Sequence, residues 1–163
     1  MDPADLTFNV LEQSLKGSID GTTINASAVS GGRAGSKTAG AVNPLLANNP
    51  YLTRVKLSKD SPGGTLPMGR YILKAHEKKE NWIRLLPDAG QSLGGRDGFA
   101  IHGRGKRGSD GCIVPFDFHN VILLYKLCKA RETQKAAAPT LEVVAIGDAD
   151  EPLRRIKQWR TIA

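Results

Sequence analysis

Short apolar segments separated by glycine-rich turns limit this chain to a fold built mainly from β-strands. Leu6, Phe8 and Val10 alternate with polar residues, as in a strand that has one buried face. The tripeptide Ile19-Asp20-Gly21 is a turn signal, and the extended segment that follows it ends near Val29. The pattern therefore predicts a β-hairpin in the N-terminal part of the chain.

The same kind of pattern recurs further along the chain. It predicts short strands over residues 70–76, 81–86, 99–101 and 141–146. The third of these is buried and delivers His102 at its end. Glycine-dense stretches lie on both sides of it, at 94–98 and 103–111, and mark turns.

Only one segment has the periodicity of a substantial helix. It runs from about Asp117 to Arg131, where Asp117 can cap the first turn and apolar residues recur at helical spacing. Residues 30–50 favour a long surface loop, and the basic tail from Leu153 favours a short helix. We expect a mainly β fold with one substantial helix, in a single domain spanning 1–163.

Length, cysteine content and hydropathy exclude several classes of protein. A chain of 163 residues can bury a core of its own without covalent staples. Two cysteines are too few for a disulfide framework, and the longest apolar run, residues 121–125, is too short to cross a membrane. The first residues lack the basic and apolar regions of a secretory signal, which predicts synthesis in the cytoplasm without a signal peptide.

Positive charge is concentrated in the middle of the chain. The net charge is +7, from 23 Lys and Arg residues against 16 Asp and Glu residues, and most of the excess lies in residues 51–110. A basic surface favours polyanions. Composition alone leaves nucleic acid, anionic lipid and bacterial cell wall open as partners.

Three features do not meet the requirements of the sites they suggest. Residues 103–108 match the G-x-G-x-x-G pattern of dinucleotide-binding loops, but no helix opens after the third glycine. Residues 31–38 suggest a phosphate loop, but Ser36 separates the glycine from the lysine. A zinc site would have to use His102, Cys112, His119 and Cys128. These residues lack the paired short spacings between ligands that structural zinc sites have. We therefore predict neither a dinucleotide site nor a metal site.

His102 and Cys112 lie at the two ends of a glycine-rich turn and are the candidate catalytic pair. The thiolate is the nucleophilic form of cysteine, and a cysteine with an ordinary pKa is only a few per cent ionised at neutral pH. A base at His102 can take the thiol proton and later return it to a leaving amine. Gly111 allows the local backbone N–H groups to face a developing oxyanion. The alternative is that Cys112 is a small buried apolar residue and His102 a hydrogen-bonded turn residue.

Two segments surround this pair, Ile101-His102-Gly103 and Ser109-Asp110-Gly111-Cys112-Ile113. Together they resemble the active-site motif of the L,D-transpeptidase catalytic domain (YkuD-like). Three weaker segments agree with the resemblance: Ala28-Val29-Ser30-Gly31, Gly64-Thr65-Leu66-Pro67-Met68-Gly69-Arg70-Tyr71 and Gly95-Arg96-Asp97-Gly98-Phe99. The match covers about residues 6–115 and leaves a C-terminal helix and strand over 116–163. The short spacing of the pair and the N-terminus are similar to those of the L,D-transpeptidase effectors of type VI secretion systems.

The resemblance implies a β-sandwich-like catalytic domain that acts on peptidoglycan. Cys112 is expected to attack the amide that precedes the terminal D-alanine of a tetrapeptide stem. His102 is expected to act as general base and then as general acid, with its ring oriented by the main-chain carbonyl of Gly103. No metal and no organic cofactor is implied.

The resemblance also implies that the residues before the nucleophile bind the substrate. The oxyanion is expected to face the amides around Asp110, Gly111 and Cys112. Asp110 stands where other members commonly have histidine, and we expect its side chain to point outward, because an inward carboxylate would oppose thiolate formation. Ser109 either binds the substrate or fixes the loop, and Arg96 either holds a stem carboxylate or braces its turn.

Two outcomes of the reaction follow from the resemblance. Water resolves the acyl-enzyme in L,D-carboxypeptidase activity, and a D-amino acid resolves it in exchange. An effector of this type acts in the periplasm of a target bacterium and is paired with an immunity protein and a secretion apparatus. The contrasting hypothesis is a basic module that binds cell wall or nucleic acid without catalysis. Nucleic-acid binding predicts aromatic residues among the basic ones, and residues 103–111 contain none.

Overall fold

The computed structural model describes residues 2–31, 65–91, 93, 98–103, 111–148, 150 and 154. These residues form eight β-strands and one α-helix. In chain order, the elements are β1 (Leu6–Asn9), β2 (Ser14–Ile19), β3 (Thr22–Ser30), β4 (Gly69–Ala75), β5 (Ile83–Pro87), β6 (Ala100–Ile101), β7 (Ile113–Pro115), α1 (Phe118–Thr133) and β8 (Thr140–Val144). The expectation of a mainly β fold with one substantial helix is confirmed for this part of the chain.

The strands close into a barrel in the order β1-β2-β3-β7-β6-β5-β4-β8. β1 pairs in parallel with β8, and β6 pairs in parallel with β7. The other neighbours in the barrel are antiparallel. Closure removes open sheet edges, and the interior of a barrel of this size is filled by side chains. The barrel is therefore a packed core that can hold its strands in one register.

The hairpin of β2 and β3 shows how the sequence pattern becomes structure. Ile19 pairs with Thr22 across a two-residue turn in which both Asp20 and Gly21 have positive φ angles, 50° and 78°. Positive φ at both positions is the geometry that an Asp-Gly turn favours between antiparallel strands. Alternate residues of β3, from Ile24 onward, then point into the barrel. The predicted turn and the extended segment after it are confirmed. The strand before the turn is β2, which was not predicted, and the predicted strand at Leu6 and Phe8 is β1, which pairs with β2 and β8.

The helix α1 begins where its capping residue predicts. The Asp117 carboxylate accepts a hydrogen bond of 2.9 Å from the His119 N–H, which is one of the unpaired donors of the first turn. α1 packs against β4, β5 and β7. It buries one face, formed by Val121, Leu124 and Cys128.

An ion pair ties the end of α1 to the β2–β3 turn. The Arg131 Nε lies 2.9 Å from a carboxylate oxygen of Asp20. The hydrogen bond from Arg131 lowers the pKa of Asp20. Arg131 also donates to the carbonyl of Ala137, so one side chain joins the helix, the turn and the segment that leads to β8.

The sequence pattern did not predict β7 as a strand. All three of its residues, Ile113 to Pro115, are buried, so the segment has no alternation of apolar and polar positions. Residues 32–50 of the predicted loop, and almost all of the predicted helix from Leu153, lie outside the described residues. Within the described ranges, no helix has both the length and the apolar character needed to span a membrane.

Gly17 in β2 offers a test of the barrel packing. Its φ is +149°, and a Cβ at this position would lie 2.1 Å from the carbonyl oxygen of Asp5. We expect Gly17→Ala to lower the free energy of unfolding by about 2–5 kcal/mol. The backbone strain of an L-residue accounts for about 1–2 kcal/mol and overpacking for about 1–3 kcal/mol. Urea denaturation measures the loss.

Gly21→Ala is the matched control. Gly21 also has a positive φ, +78°, but nothing lies within 4 Å of an added Cβ. We expect this variant to lose only the strain contribution, about 1–2 kcal/mol. Equal losses in the two variants would contradict the close packing of β2 on β1.

Candidate active site

The parallel pairing of β6 and β7 brings the two ends of the glycine-rich turn together. Ile101 lies opposite Ile113, and the His102 N–H donates to the Ile113 carbonyl at 3.1 Å. Ile101 and Ile113 are fully buried in the core. Because side chains alternate along a strand, His102 and Cys112 project from the other face of the sheet. The candidate pair therefore shares one face of two adjacent strands.

The imidazole of His102 has a defined tautomer. Its Nδ1 lies 2.5 Å from the Gly103 carbonyl oxygen. Since a carbonyl oxygen can only accept, Nδ1 carries the proton, and in the neutral ring Nε2 keeps its lone pair. The main-chain carbonyl predicted to orient the ring is thus in place.

His102 is also buried, with 7% of its surface exposed. Burial lowers the pKa of the imidazole, and the charge of Lys79 lowers it further, whereas the hydrogen bond to Gly103 acts in the opposite direction. Because the net shift is downward from an ordinary value of 6.5, the ring is neutral at pH 7. A neutral imidazole with a lone pair on Nε2 is the form that a general base requires.

Trp82 covers the ring of His102. The two ring centroids are 4.2 Å apart and the planes differ by 9°. Trp82 directly precedes β5, and the pairing of Ile83 with Ile101 places it opposite His102. The sequence analysis did not identify Trp82 as a site residue. Trp82 lies within the strand predicted over 81–86, but the partner of that strand cannot be read from the pattern.

Cys112 directly precedes β7 and has 8% of its surface exposed. Its Sγ is 4.0 Å from the carbonyl oxygen of Gly98, a long contact to a weak donor. The preceding residue, Gly111, has a φ of +93°, a conformation that glycine adopts without strain. Glycine therefore suits the backbone conformation at this position, and the presentation of its N–H to an oxyanion stays a prediction.

Ser30 fixes the peptide bond that leads into Cys112. This fully buried residue donates from its hydroxyl to the Gly111 carbonyl at 3.0 Å and accepts from the Leu66 N–H, also at 3.0 Å. Because the peptide bond is trans, the Cys112 N–H points away from the Gly111 carbonyl and hence away from Ser30. Ser30 thus sets the direction of an amide that the resemblance assigns to the oxyanion.

Phe118 packs against the residue that holds the histidine. A Cβ added to Gly103 would lie 2.8 Å from the Phe118 ring, so a larger residue cannot occupy this position without displacing the ring. The same ring is 47% exposed. The first residue of α1 therefore braces the Gly103 backbone and also borders the site.

Four of the predicted site residues lie within the described ranges, at the ends of the adjacent strands β6 and β7: His102, Gly103, Gly111 and Cys112. The other three, Arg96, Ser109 and Asp110, lie outside the described residues. Cys128, one of the residues considered for zinc, is 1% exposed on the buried face of α1, and burial raises its pKa to about 12. Among the described residues, no group of three or more His, Cys, Asp or Glu side chains is placed to hold a metal ion.

Comparison with protein-family models, curated proteins and solved structures finds no match to this chain. The chemistry of the site therefore rests on its own residues. They supply a thiol, a neutral imidazole whose orientation is fixed and a backbone N–H of fixed direction. This set suits nucleophilic attack on a carbonyl group.

The two cysteines are expected to differ sharply in reactivity. At a pKa of about 12, roughly one Cys128 thiol in 10⁵ is ionised at pH 7, and the side chain is buried as well. Iodoacetamide should therefore alkylate Cys112 in the folded protein and Cys128 only after denaturation. Peptide mass spectrometry at timed intervals measures both sites.

Single-cysteine variants provide the control. Cys128→Ala should keep the native alkylation rate, and Cys112→Ala should abolish native alkylation. Comparable native labelling of both cysteines would contradict the burial of Cys128.

Proposed function

We propose that this chain is a cysteine-dependent, peptidoglycan-modifying enzyme with L,D-carboxypeptidase and L,D-transpeptidase activity. The observation that carries the proposal is the pairing of β6 with β7. Alternation from the pair Ile101 and Ile113 supports a shared face for Cys112 and for His102, whose ring is held by the Gly103 carbonyl. A base held by a third group, next to a thiol, is the arrangement that activates a cysteine nucleophile.

In the proposed reaction, His102 Nε2 accepts the proton of the Cys112 thiol. The sulfur attacks the carbonyl carbon of the amide that precedes the terminal D-alanine of a tetrapeptide stem. The C–N bond then breaks, and the imidazolium returns its proton to the leaving amine, so that D-alanine departs and a thioester remains. Water or the amine of a D-amino acid attacks the thioester, which releases the shortened or exchanged stem and restores the thiol.

Backbone groups support each stage of this reaction. The Gly103 carbonyl holds the Nδ1 proton, which keeps Nε2 available as a base and stabilises the transient imidazolium. We assign part of the oxyanion site to the Cys112 N–H, whose peptide bond is held by the contact of Ser30 with Gly111. We assign a further part of the oxyanion site to the Gly111 and Asp110 amides, and substrate contacts to Ser109 and Arg96.

The contacts of Ser30 support the relation to L,D-transpeptidases. Ser30, Leu66 and Gly111 belong to three separate segments of the resemblance, and the Ser30 hydroxyl bonds to both of the others. Segments that are distant in sequence thus meet beside the proposed nucleophile. We propose that the barrel and α1 are this chain's form of the β-sandwich-like L,D-transpeptidase fold.

The charge distribution supports an anionic wall polymer as the partner. The excess of basic residues lies in residues 51–110, the range that ends directly before Gly111 and Cys112. We further propose that the protein is a secreted antibacterial effector that acts in the periplasm of a target cell. Such a toxin requires an immunity protein in the cell that makes it and an apparatus that delivers it.

The decisive experiment is digestion of defined substrates. Purified protein is incubated with disaccharide tetrapeptides, with and without a labelled D-amino acid, and the products are separated by mass spectrometry. We expect loss of D-alanine alone and exchange when the D-amino acid is present. Cys112→Ala should abolish both activities, because no nucleophile remains, whereas Cys128→Ala should retain them.

Two results would contradict the proposal. One is an unchanged muropeptide profile with the folded wild-type protein, and the other is full activity of Cys112→Ala. Retention of the inactive protein on purified cell wall or nucleic acid, at low and high salt, would then support a basic binding module.

A second prediction concerns where the activity is harmful. Peptidoglycan lies outside the cytoplasmic membrane, so the substrate is reached only when the protein is exported. Expression behind an added export signal should slow growth of a susceptible bacterium, whereas cytoplasmic expression to the same level should not. The Cys112→Ala variant, exported to the same level, should be harmless. Equal growth inhibition from both compartments would contradict periplasmic action.

A further inference from the structure

The aromatic ring of Trp82 belongs to a row of side chains that crosses three strands. β4 pairs Ala75 with Ile83, and β5 pairs Ile83 with Ile101. All three of these residues are buried in the core. Their next neighbours, His76, Trp82 and His102, therefore lie side by side on the opposite face. The register of the barrel, rather than a local motif, brings Trp82 to His102.

The stack and the carbonyl contact restrict different motions of the imidazole. The hydrogen bond to the Gly103 oxygen sets which edge of the ring faces the backbone. It does not prevent the ring from tilting about that contact. A parallel indole at a centroid distance of 4.2 Å opposes the tilt, because tilting would break the stacking contact. Together, the two contacts define where the Nε2 lone pair points.

Lys79 contacts the indole ring of Trp82 and so adds a charged group to the stack. Its Nζ lies 4.4 Å from the centre of the indole ring, at the distance of a cation–π contact. The contact holds a positive charge in the neighbourhood of the imidazole, which disfavours a second proton on the ring. The charge of Lys79 and the burial of the ring thus act in the same direction on His102.

Packing of the core does not explain why residue 82 is aromatic. It is only partly buried and lies on the face opposite to the fully buried Ile83. Two contacts use its flat surface, the stack on His102 and the cation–π contact of Lys79. An aliphatic residue of similar bulk would cover part of the same surface but would not hold a ring parallel.

We propose that Trp82 is a positioning residue that clamps the imidazole of His102 in the orientation needed to accept the Cys112 proton. The role of His102 as a base rests on the proposed function, whereas the clamping of its ring does not. Misplacement of a catalytic group by about 1 Å costs roughly 10²-fold in rate. We therefore expect Trp82→Leu to lower kcat about 10²-fold with little change in KM, and Trp82→Phe to stay within about threefold of the wild type.

The first test combines kinetics with a matched control. Muropeptide turnover is measured for Trp82→Leu, Trp82→Phe and Leu86→Ala. Leu86 is an exposed residue further along β5, on the same side of the strand, so its loss should leave kcat unchanged. In the wild type, kcat/KM should fall with decreasing pH through a pKa below 6.5, since the base must be neutral. The acid limb should move to higher pH in Trp82→Leu, because its imidazole is less buried.

The second test does not depend on turnover. The ¹⁵N shifts of the His102 ring report its tautomer and its titration. The wild type and Trp82→Phe should show one tautomer, with the proton on Nδ1, and Trp82→Leu should show a mixture of tautomers and a higher pKa. Lys79→Met, which keeps a side chain of similar length, should raise the pKa without mixing the tautomers. If Trp82→Leu does not fold, the test is made on Trp82→Met, which keeps a long side chain without a flat ring and for which the same result is expected.

The outcomes separate the two proposals. A folded Trp82→Leu variant with wild-type kcat, tautomer and titration overturns the positioning role, whatever the enzyme does. Equal loss of kcat in Trp82→Phe and Trp82→Leu with an unchanged tautomer also overturns it. An inactive wild type whose His102 tautomer still depends on Trp82 removes the proposed function but keeps the clamp.

Discussion

The parallel contact between β6 and β7 is the constraint on which the site depends. β6 has only two residues and β7 three, so neither strand holds its own position through a long ladder. Their register is fixed instead by burial, because a shift of one residue would turn Ile101 and Ile113 out of the core. The same shift would turn His102 and Cys112 inward. The apolar residues that close the barrel thus determine which face carries the candidate catalytic pair.

Buried polar groups fix the position of the backbone in this part of the barrel. The hydroxyl of Ser30 and the imidazole of His102 are both taken out of water, which is costly unless each finds a partner. Ser30 uses the Gly111 carbonyl and the Leu66 N–H, and His102 uses the Gly103 carbonyl. These bonds are directional, whereas apolar packing is not. Loss of one partner would leave a buried polar group unsatisfied, which costs free energy. These hydrogen bonds therefore hold the glycine-containing backbone on both sides of the site.

The parts of the fold that local rules govern were predictable. The turn at Asp20-Gly21 needs only two residues with positive φ, and the start of α1 needs only the carboxylate of Asp117. Closure of the barrel depends instead on pairing β1 with β8, which joins Leu6 to Leu141 and has no local signal. β7 was missed for a related reason, since a strand buried on both faces shows no alternation.

The site residues also divide into those that the local sequence identifies and those that only strand pairing brings to the site. The order of His102 and Cys112 and the glycines between them were visible in the sequence, and they identified the pair. Trp82 and Ser30 reach it only through the register of β5 and β3, so no motif included Trp82 and none explained Ser30.

The second thiol, Cys128, shows why motif and register are both needed. Burial on a helix face raises its pKa to about 12, whereas Cys112 directly precedes β7 and follows a peptide bond whose carbonyl is held by Ser30. What distinguishes the candidate Cys112 from the packing residue Cys128 is the set of backbone groups that the barrel aligns around it.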